Sequence, residues 1–308
     1  MAASLPGRSL SAAMKNSTRK QTTLNALASS FTPPVSTLAF GTKKAAAAHT
    51  VPQKGVKRKK TNKSPRPLQI PSHENATLRS PRQPPSRSSG GVPSPSTRYL
   101  AQSLSPPTTL PKPRRILVIL DLNGTLLYRP SRNHPSKFIE RPHARAFLRY
   151  CLETFHLAIW SSARPQNVTN MVAQLLTPEQ SEKCVLIWAR DRFGLSQQDY
   201  DARVQVYKRL SLVWDNPQVK AAHPDARRGG LWDQSNTVLV DDSREKGRSE
   251  PYNILPIPEF AGLLGEPPNV LPQVHDYLNL LCSQADISRY IRENPFHLSP
   301  EYTLPVDF

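Results

Sequence analysis

The sequence predicts an α/β fold, an open and mostly parallel sheet layered between helices, behind a disordered N-terminal tail. Three observations carry this expectation. Charge is distributed unevenly along the chain, apolar runs alternate with amphipathic segments after residue 113, and several apolar runs end in polar residues suited to one chemistry.

The tail comes first. Residues 1–112 hold 18 Lys+Arg against a single acid, Glu74, whereas residues 113–308 hold 23 against 22. The net charge of +18 at pH 7 is therefore almost wholly a property of the first part. That part is rich in Ser, Thr, Pro and Ala and poor in aromatics, so it buries too little apolar surface to offset its chain entropy. All four tryptophans and all three cysteines lie in the remainder, which is long enough for one well-buried domain. The expected divisions are a tail over 1–112, a folded domain over 113–284 and an extension over 285–308.

Composition removes some classes of function. Cys151, Cys184 and Cys282 are far apart and form no C-x-x-C pair, which argues against a zinc site or a disulfide framework and for a reducing compartment. No run approaches the roughly 18–20 apolar residues that span a bilayer.

Two addresses compete in the tail. Lys57-Arg58-Lys59-Lys60, with Lys54 before and Lys63 after, reads as a nuclear import signal or a weak nucleic-acid contact. The first 50 residues lack acids and place Arg8, Lys15 and Arg19 on a Ser/Ala background, the composition of a mitochondrial transit peptide. The apolar face opposite those cations is thin, so the nucleus is the expected address and the mitochondrion the alternative. Ser64-Pro65, Ser80-Pro81, Ser94-Pro95 and Ser105-Pro106 suit proline-directed phosphorylation, which removes about two positive charges each.

From residue 114 the pattern is a relay. Ile116–Leu120 is continuously apolar, as in a strand covered on both faces. Residues 144–155 carry Phe147, Leu148, Cys151, Leu152 and Phe155 at helical spacing. Leu157–Trp160 is a second strand, and Val168, Met171, Val172, Leu175 and Leu176 mark a second helix. Cys184–Trp188 and Thr237–Val240 are further strands, and Val270–Cys282 is a closing helix. Strand and helix in alternation give a parallel sheet with helices on both faces.

Ligands in such sheets bind beyond the carboxyl ends of the strands, and three strands end informatively. The first runs into Asp121, the second into Ser161-Ser162, and the fourth into Asp241-Asp242-Ser243. A carboxylate followed by the turn residues Gly124 and Thr125 can attack phosphorus and form an acyl phosphate. Transferred phosphoryl groups spread negative charge over their oxygens, so cations and donors are needed. Ser161 offers a hydroxyl, and Lys208 a cation. Asp121 and Asp242 suit Mg²⁺, a hard ion that prefers oxygen ligands.

These residues carry a resemblance. Asp121–Leu126 (DLNGTL), residues 160–163 (WSSA), Lys208 and residues 239–243 (LVDDS) resemble, in order, the four motifs of the haloacid-dehalogenase superfamily. Within it, the chain is similar to the Fcp/Scp or NLI-interacting-factor type of phosphatase, with support from Arg141-Pro142 and from Ile257-Pro258-Glu259-Phe260. The resemblance covers about 114–284 and implies a Rossmann-like, three-layer sheet acting on a phosphorylated protein or peptide. It implies Asp121 as nucleophile, and Ser161, Ser162 and Thr125 at the phosphoryl oxygens. Lys208 would neutralise developing charge, Mg²⁺ would sit on Asp121, Asp242 and the main-chain carbonyl of Asn123, and Asp241 would orient Lys208.

One position departs from that pattern. Where the family carries an acid–base aspartate, this chain has Asn123, and an amide cannot shuttle a proton at neutral pH. Losing a positioned acid–base costs about 10²–10⁴ in rate. Two expectations follow: a phosphoprotein phosphatase of reduced activity, or an inactive phosphatase-like binding protein. The second resembles the receptor subunit of the mitochondrial presequence translocase, a protein-import complex. Other residues are read plainly: His143 as capping or surface, and Arg190-Asp191-Arg192 as a surface ion-pair cluster.

Overall fold

The computed structural model describes residues 82–304 apart from 132, 133, 135 and 203. Residues 1–81, with both candidate address signals, lie outside the described residues.

The elements run in chain order as α1 (Thr97–Ser103), β1 (Leu117–Leu120), β2 (Leu127–Tyr128), β3 (Ile139–Glu140), α2 (Ala144–Thr154), β4 (His156–Trp160), α3 (Pro165–Leu175) and α4 (Pro178–Glu182). They continue as β5 (Leu186–Trp188), α5 (Gln197–Asp201), α6 (Leu210–Trp214), α7 (Pro217–Ala221), β6 (Thr237–Asp241), β7 (Ile254–Pro256), α8 (Val270–Cys282) and α9 (Ile287–Glu293). The main sheet has the order β5-β4-β1-β6-β7, and every pairing in it is parallel. The expected open parallel sheet is present.

Alternation along each strand sorts side chains to two faces. Val118 and Leu120 of β1, Leu157 and Ile159 of β4, and Val238 and Val240 of β6 pack with residues of α2, α3, α8 and α9. Leu117 and Ile119, Ala158 and Trp160, and Leu239 pack with Val206, Leu210, Val213, Val219 and Trp232. All four residues of β1 are fully buried, because both faces are covered. Two small features go beyond the sequence reading. β7 is an edge strand containing Pro256, a residue tolerated there because an edge N–H needs no ladder partner. β2 and β3 form a short antiparallel pair just beyond β1.

The disordered tail expected over 1–112 ends too late, since residues 82–112 pack on the domain. Gln83 bridges Val204, and Thr109 bridges Gln284. Ser86 donates its backbone N–H (2.8 Å) and hydroxyl (2.6 Å) to the Asp199 carboxylate. Helix α1 lies on α9, where Arg289 and Arg292 donate to the Gln102 and Ser103 carbonyls at 2.9 and 2.7 Å. Its one buried aromatic, Tyr99, donates to Asn253 Oδ1, accepts from the Tyr252 N–H, each at 2.9 Å, and stacks on the Tyr252 ring. Asn253 itself ties β6 to the segment before it through the Gln234 and Thr237 carbonyls. Composition averaged over 112 residues hid this arm, because polar and main-chain bonds hold it and they leave no apolar periodicity.

Docking of the arm is testable through Tyr99. Tyr99→Ala removes a buried ring and strands two polar partners, so it should cost about 3 kcal/mol in denaturant unfolding. An unattached arm would give a change within about 0.5 kcal/mol.

Candidate active site

Parallel pairing brings the ends of β1, β4 and β6 to one edge. Leu120 of β1 registers with Ile159 of β4 and Val240 of β6, so the residues that follow leave the sheet side by side. The Asp121 N–H donates to the Val240 carbonyl at 3.0 Å, and the Ser161 N–H to the Trp188 carbonyl at 2.9 Å. These bonds hold Asp121 and Ser161 rigidly just past their strands.

Five charged groups meet there. Lys208 Nζ donates to Asp241 Oδ2 at 2.6 Å and stands 3.0 Å from Asp121 Oδ1. Lys246 Nζ donates to Asp121 Oδ2 at 3.0 Å, Asp241 Oδ1 at 2.8 Å and Asp242 Oδ1 at 3.0 Å. Asp241 and Lys208 are fully buried, and Asp121 is 1% exposed. Asp241 therefore both orients Lys208 and joins the two lysines. Burial drives its carboxyl pKa up, but the charges and hydrogen bonds of Lys208 and Lys246 outweigh burial and hold it below the usual range. Asp242 goes the other way. Burial raises its pKa, repulsion from Asp121 and Asp241 adds to the rise, and Lys246 opposes it. Burial disfavours the Lys246 ammonium, yet the carboxylates of Asp121, Asp241 and Asp242 reverse that and raise its pKa well above the ordinary value.

The loop after β1 is clamped from outside. Arg141, only 1% exposed, donates to the Thr125 carbonyl at 3.0 Å and the Pro258 carbonyl at 2.8 Å, and pairs with Glu266 at 2.6 Å. Its guanidinium lies over the Phe260 ring, and the Phe260 N–H donates to the Gly124 carbonyl at 2.7 Å. Gly124 has φ +91°, and a Cβ there would lie 2.7 Å from Asp242 Oδ2. Glycine is thus required twice, for the backbone angle and for the approach of Asp242.

The expected site residues divide by position. Asp121, Lys208, Asp241 and Asp242 are in direct contact or linked through one lysine. Ser161 is buried at the neighbouring strand end, with only a long 3.4 Å bond from the Ala163 N–H on its Oγ. Ser162 opens elsewhere, into a cavity of about 510 Å³ that Arg82, Arg164, Arg190 and Tyr200 also line. Thr125 is fully buried and its Oγ1 has no hydrogen-bond partner. Asn123 turns its Oδ1 to Arg129, accepting from the N–H at 3.2 Å and from Nε at 3.4 Å. Burial lowers the Arg129 pKa, and attraction to Asp121 offsets part of that. His143 takes the N-cap position of α2 with φ 68°, without a side-chain capping bond to the helix. Arg190 is not simply one of a surface ion-pair cluster: it donates to the carbonyls of Tyr200, Asp199 and Ala202, leaving Asp191 to Arg192 at 3.2 Å.

Lys246, Arg129 and the clamp by Arg141 were not assigned to the site from sequence. The available signal for Lys246 was its spacing, four residues after Asp242.

The donors fit a hard divalent cation. Ligand oxygens of Asp121, Asp241 and Asp242 all lie within 4.8 Å of one another. Asp121 Oδ2 and Asp242 Oδ1 already face one shared cation, the Lys246 ammonium, at 3.0 Å each. Oxygen donors in this number suit Mg²⁺.

Comparison with known proteins agrees with this geometry. The model of the NLI interacting factor-like phosphatase family matches residues 116–288. An uncharacterized FCP1 homology domain-containing protein of Schizosaccharomyces pombe is 34% identical over 228 residues, covering 69% of this chain and 89% of that protein. Among solved structures, the fission yeast RNA polymerase II CTD phosphatase Fcp1 bound to beryllium fluoride gives a TM-score of 0.32 at 12% identity, over 57% of this chain and 45% of that one. A further structure of Fcp1, an essential RNA polymerase II CTD phosphatase, gives 0.30 at 16%, over 62% and 57%. This chain spans about half the length of those two, and scores at that level add nothing to the fold described above. The family match over more than half of its length, with the yeast relative at 34% identity, places this chain in the NLI interacting factor-like phosphatase family.

Proposed function

We propose that this domain is a phosphoprotein Ser/Thr phosphatase of reduced activity that works through an aspartyl-phosphate. The observation that carries this reading is Asp121 Oδ1, a buried carboxylate oxygen without a hydrogen bond, 3.0 Å from the Lys208 ammonium. A free lone pair beside a fixed cation is what in-line attack on phosphorus requires.

In the first step Asp121 Oδ1 bonds to phosphorus, and the substrate oxygen leaves with the electron pair of the P–O bond and takes a proton. Lys208, oriented by Asp241, faces the charge that develops on the phosphoryl oxygens. In the second step water attacks the aspartyl-phosphate, releasing phosphate and restoring Asp121. Mg²⁺, when bound to Asp121, Asp242 and the Asn123 carbonyl, would supply further neutralisation of phosphoryl charge. Asn123 can neither protonate the leaving oxygen nor take a proton from water, and its Oδ1 already serves Arg129. Both protons must pass through solvent or another group, which slows both steps.

A phosphorylated peptide suits the surroundings. Arg82, Arg164 and Arg190 outnumber Asp201, which pairs with Arg164 at 3.0 Å, around the cavity beside Ser162, and the like charges of Arg82 and Arg164 add to the lowering that burial imposes on Arg190. Such a cluster favours an acidic or phosphorylated flank on the substrate. The opposing reading, a binding protein of the import type, rests on the composition of residues 1–50. Among the described residues no helix is long and apolar enough to cross a membrane.

Three measurements test these proposals. Turnover of an aryl phosphate in saturating Mg²⁺ should be low in the natural protein, at least about tenfold higher in Asn123→Asp, and absent in Asp121→Asn; equal rates in all three would overturn the mechanism. Arg164→Ala should raise KM for a phosphopeptide with an acidic flank while leaving KM for the aryl phosphate within about twofold. A fluorescent fusion of residues 1–81 should enter the nucleus and lose that address when Lys57, Arg58, Lys59 and Lys60 are replaced by Ala. Mitochondrial uptake with cleavage would instead support the import reading.

A further inference from the structure

Lys246 touches the same carboxylates that would hold the metal. Its Nζ lies 3.0 Å from Asp121 Oδ2, 2.8 Å from Asp241 Oδ1 and 3.0 Å from Asp242 Oδ1. These are the three residues whose oxygens converge within 4.8 Å. The ammonium is nearly dehydrated, with its side chain 6% exposed, so the three carboxylates replace its water. A lone carboxylate pair would not compensate that burial, whereas three short contacts do.

The main chain around Lys246 is fixed. It lies in a single 3-10 turn, Arg244–Gly247, directly after β6. Its N–H donates to the Ser243 carbonyl at 3.0 Å, and its carbonyl accepts from the Lys208 N–H at 2.7 Å. Gly247 lies against β7, where an added Cβ would lie 2.7 Å from Ile254 Cδ1. With the backbone pinned on both sides, the ammonium leaves the carboxylates only by side-chain rotation.

We propose that Lys246 is a tethered cation resident in the metal position, so that a divalent ion binds only by displacing it. The proposal rests on the reading of Asp121 and Asp242 as metal ligands and adds an internal competitor to it. A tethered group acts at an effective concentration of about millimolar or more, with no association step to overcome. The domain therefore binds Mg²⁺ weakly when substrate is absent. Displacement also releases an ammonium next to Asp121, where an incoming phosphoryl group carries negative charge. Metal entry and phosphate entry then favour one another, since phosphate gives the displaced ammonium a new partner.

The test uses the full chain without substrate, with Mn²⁺ as the probe and its free-ion EPR signal as the readout. Lys246→Met keeps most of the side-chain volume and removes the charge. It should bind Mn²⁺ at least about tenfold more tightly than the natural protein, while Lys246→Arg stays as weak as the natural protein. Equal or weaker binding in Lys246→Met overturns the proposal. Should Lys246→Met be unfolded in the absence of metal, its thermal midpoint is read with and without Mn²⁺. Recovery by Mn²⁺ supports competition for one position, and no recovery overturns it. Because nothing turns over in this measurement, an inactive Asp121 would leave the result unchanged, and failure here would leave the aspartyl-phosphate reading standing.

Discussion

Asp241 is fully buried and ionised, and that constraint organises the molecule. Removing a carboxylate from water costs several kcal/mol unless partners replace the solvent. Here Lys208 and Lys246 donate to its two oxygens at 2.6 and 2.8 Å. Each lysine then reaches Asp121 on the adjacent strand. The parallel register of β1 with β6 is therefore set twice, by the backbone ladder and by charges that cross it beyond the last rung. Any change that slips this register would break both buried lysines from their partners, so fold and site are stabilised by the same contacts.

A second constraint acts from the opposite side. The loop from Asp121 to Leu127 must turn tightly while leaving room for Asp242, and Gly124 supplies both the positive φ and the space. Arg141 and Phe260 then hold the loop by its carbonyls at Thr125 and Gly124. Loop position is thus determined by main-chain acceptors rather than by side chains facing the cluster. Leu122, Thr125, Leu126 and Leu127 are fully buried and Asn123 is only partly so, and the frame around Asn123 is intact although an amide has no acid–base capacity.

The sequence made the sheet and four site residues legible, and the reason is local. Ile116–Leu120 and Thr237–Val240 are apolar runs with an abrupt polar end, and a parallel sheet forces such ends to one edge. Lys208 was reachable through the family motif. Lys246 was not, because a basic residue in a polar turn reads as surface charge until the turn is known to fold inward over Asp121. Arg129 and Arg141 were hidden in a related way, their partners being an amide, two carbonyls and the carboxylate of Glu266, 125 residues further along the chain. The arm over 82–112 was misread because its anchors, Ser86 on Asp199 and Tyr99 on Asn253, are polar contacts more than 100 residues distant in sequence.

Asn123 and Lys246 acquire a joint meaning from their charges. Relative to a site with an aspartate at 123 and a neutral residue at 246, the amide removes one negative charge and the lysine adds one positive charge. The two positions together shift the site by two units, the charge that one divalent cation brings. Three carboxylates facing two ammoniums leave a single negative charge, small enough for a phosphate to approach before any metal has entered. A substitution that weakens proton transfer and one that supplies an internal cation then point the same way. Under the proposed mechanism, slower proton transfer at Asn123 and an internal cation at Lys246 would both favour holding a phosphorylated ligand over turning it over.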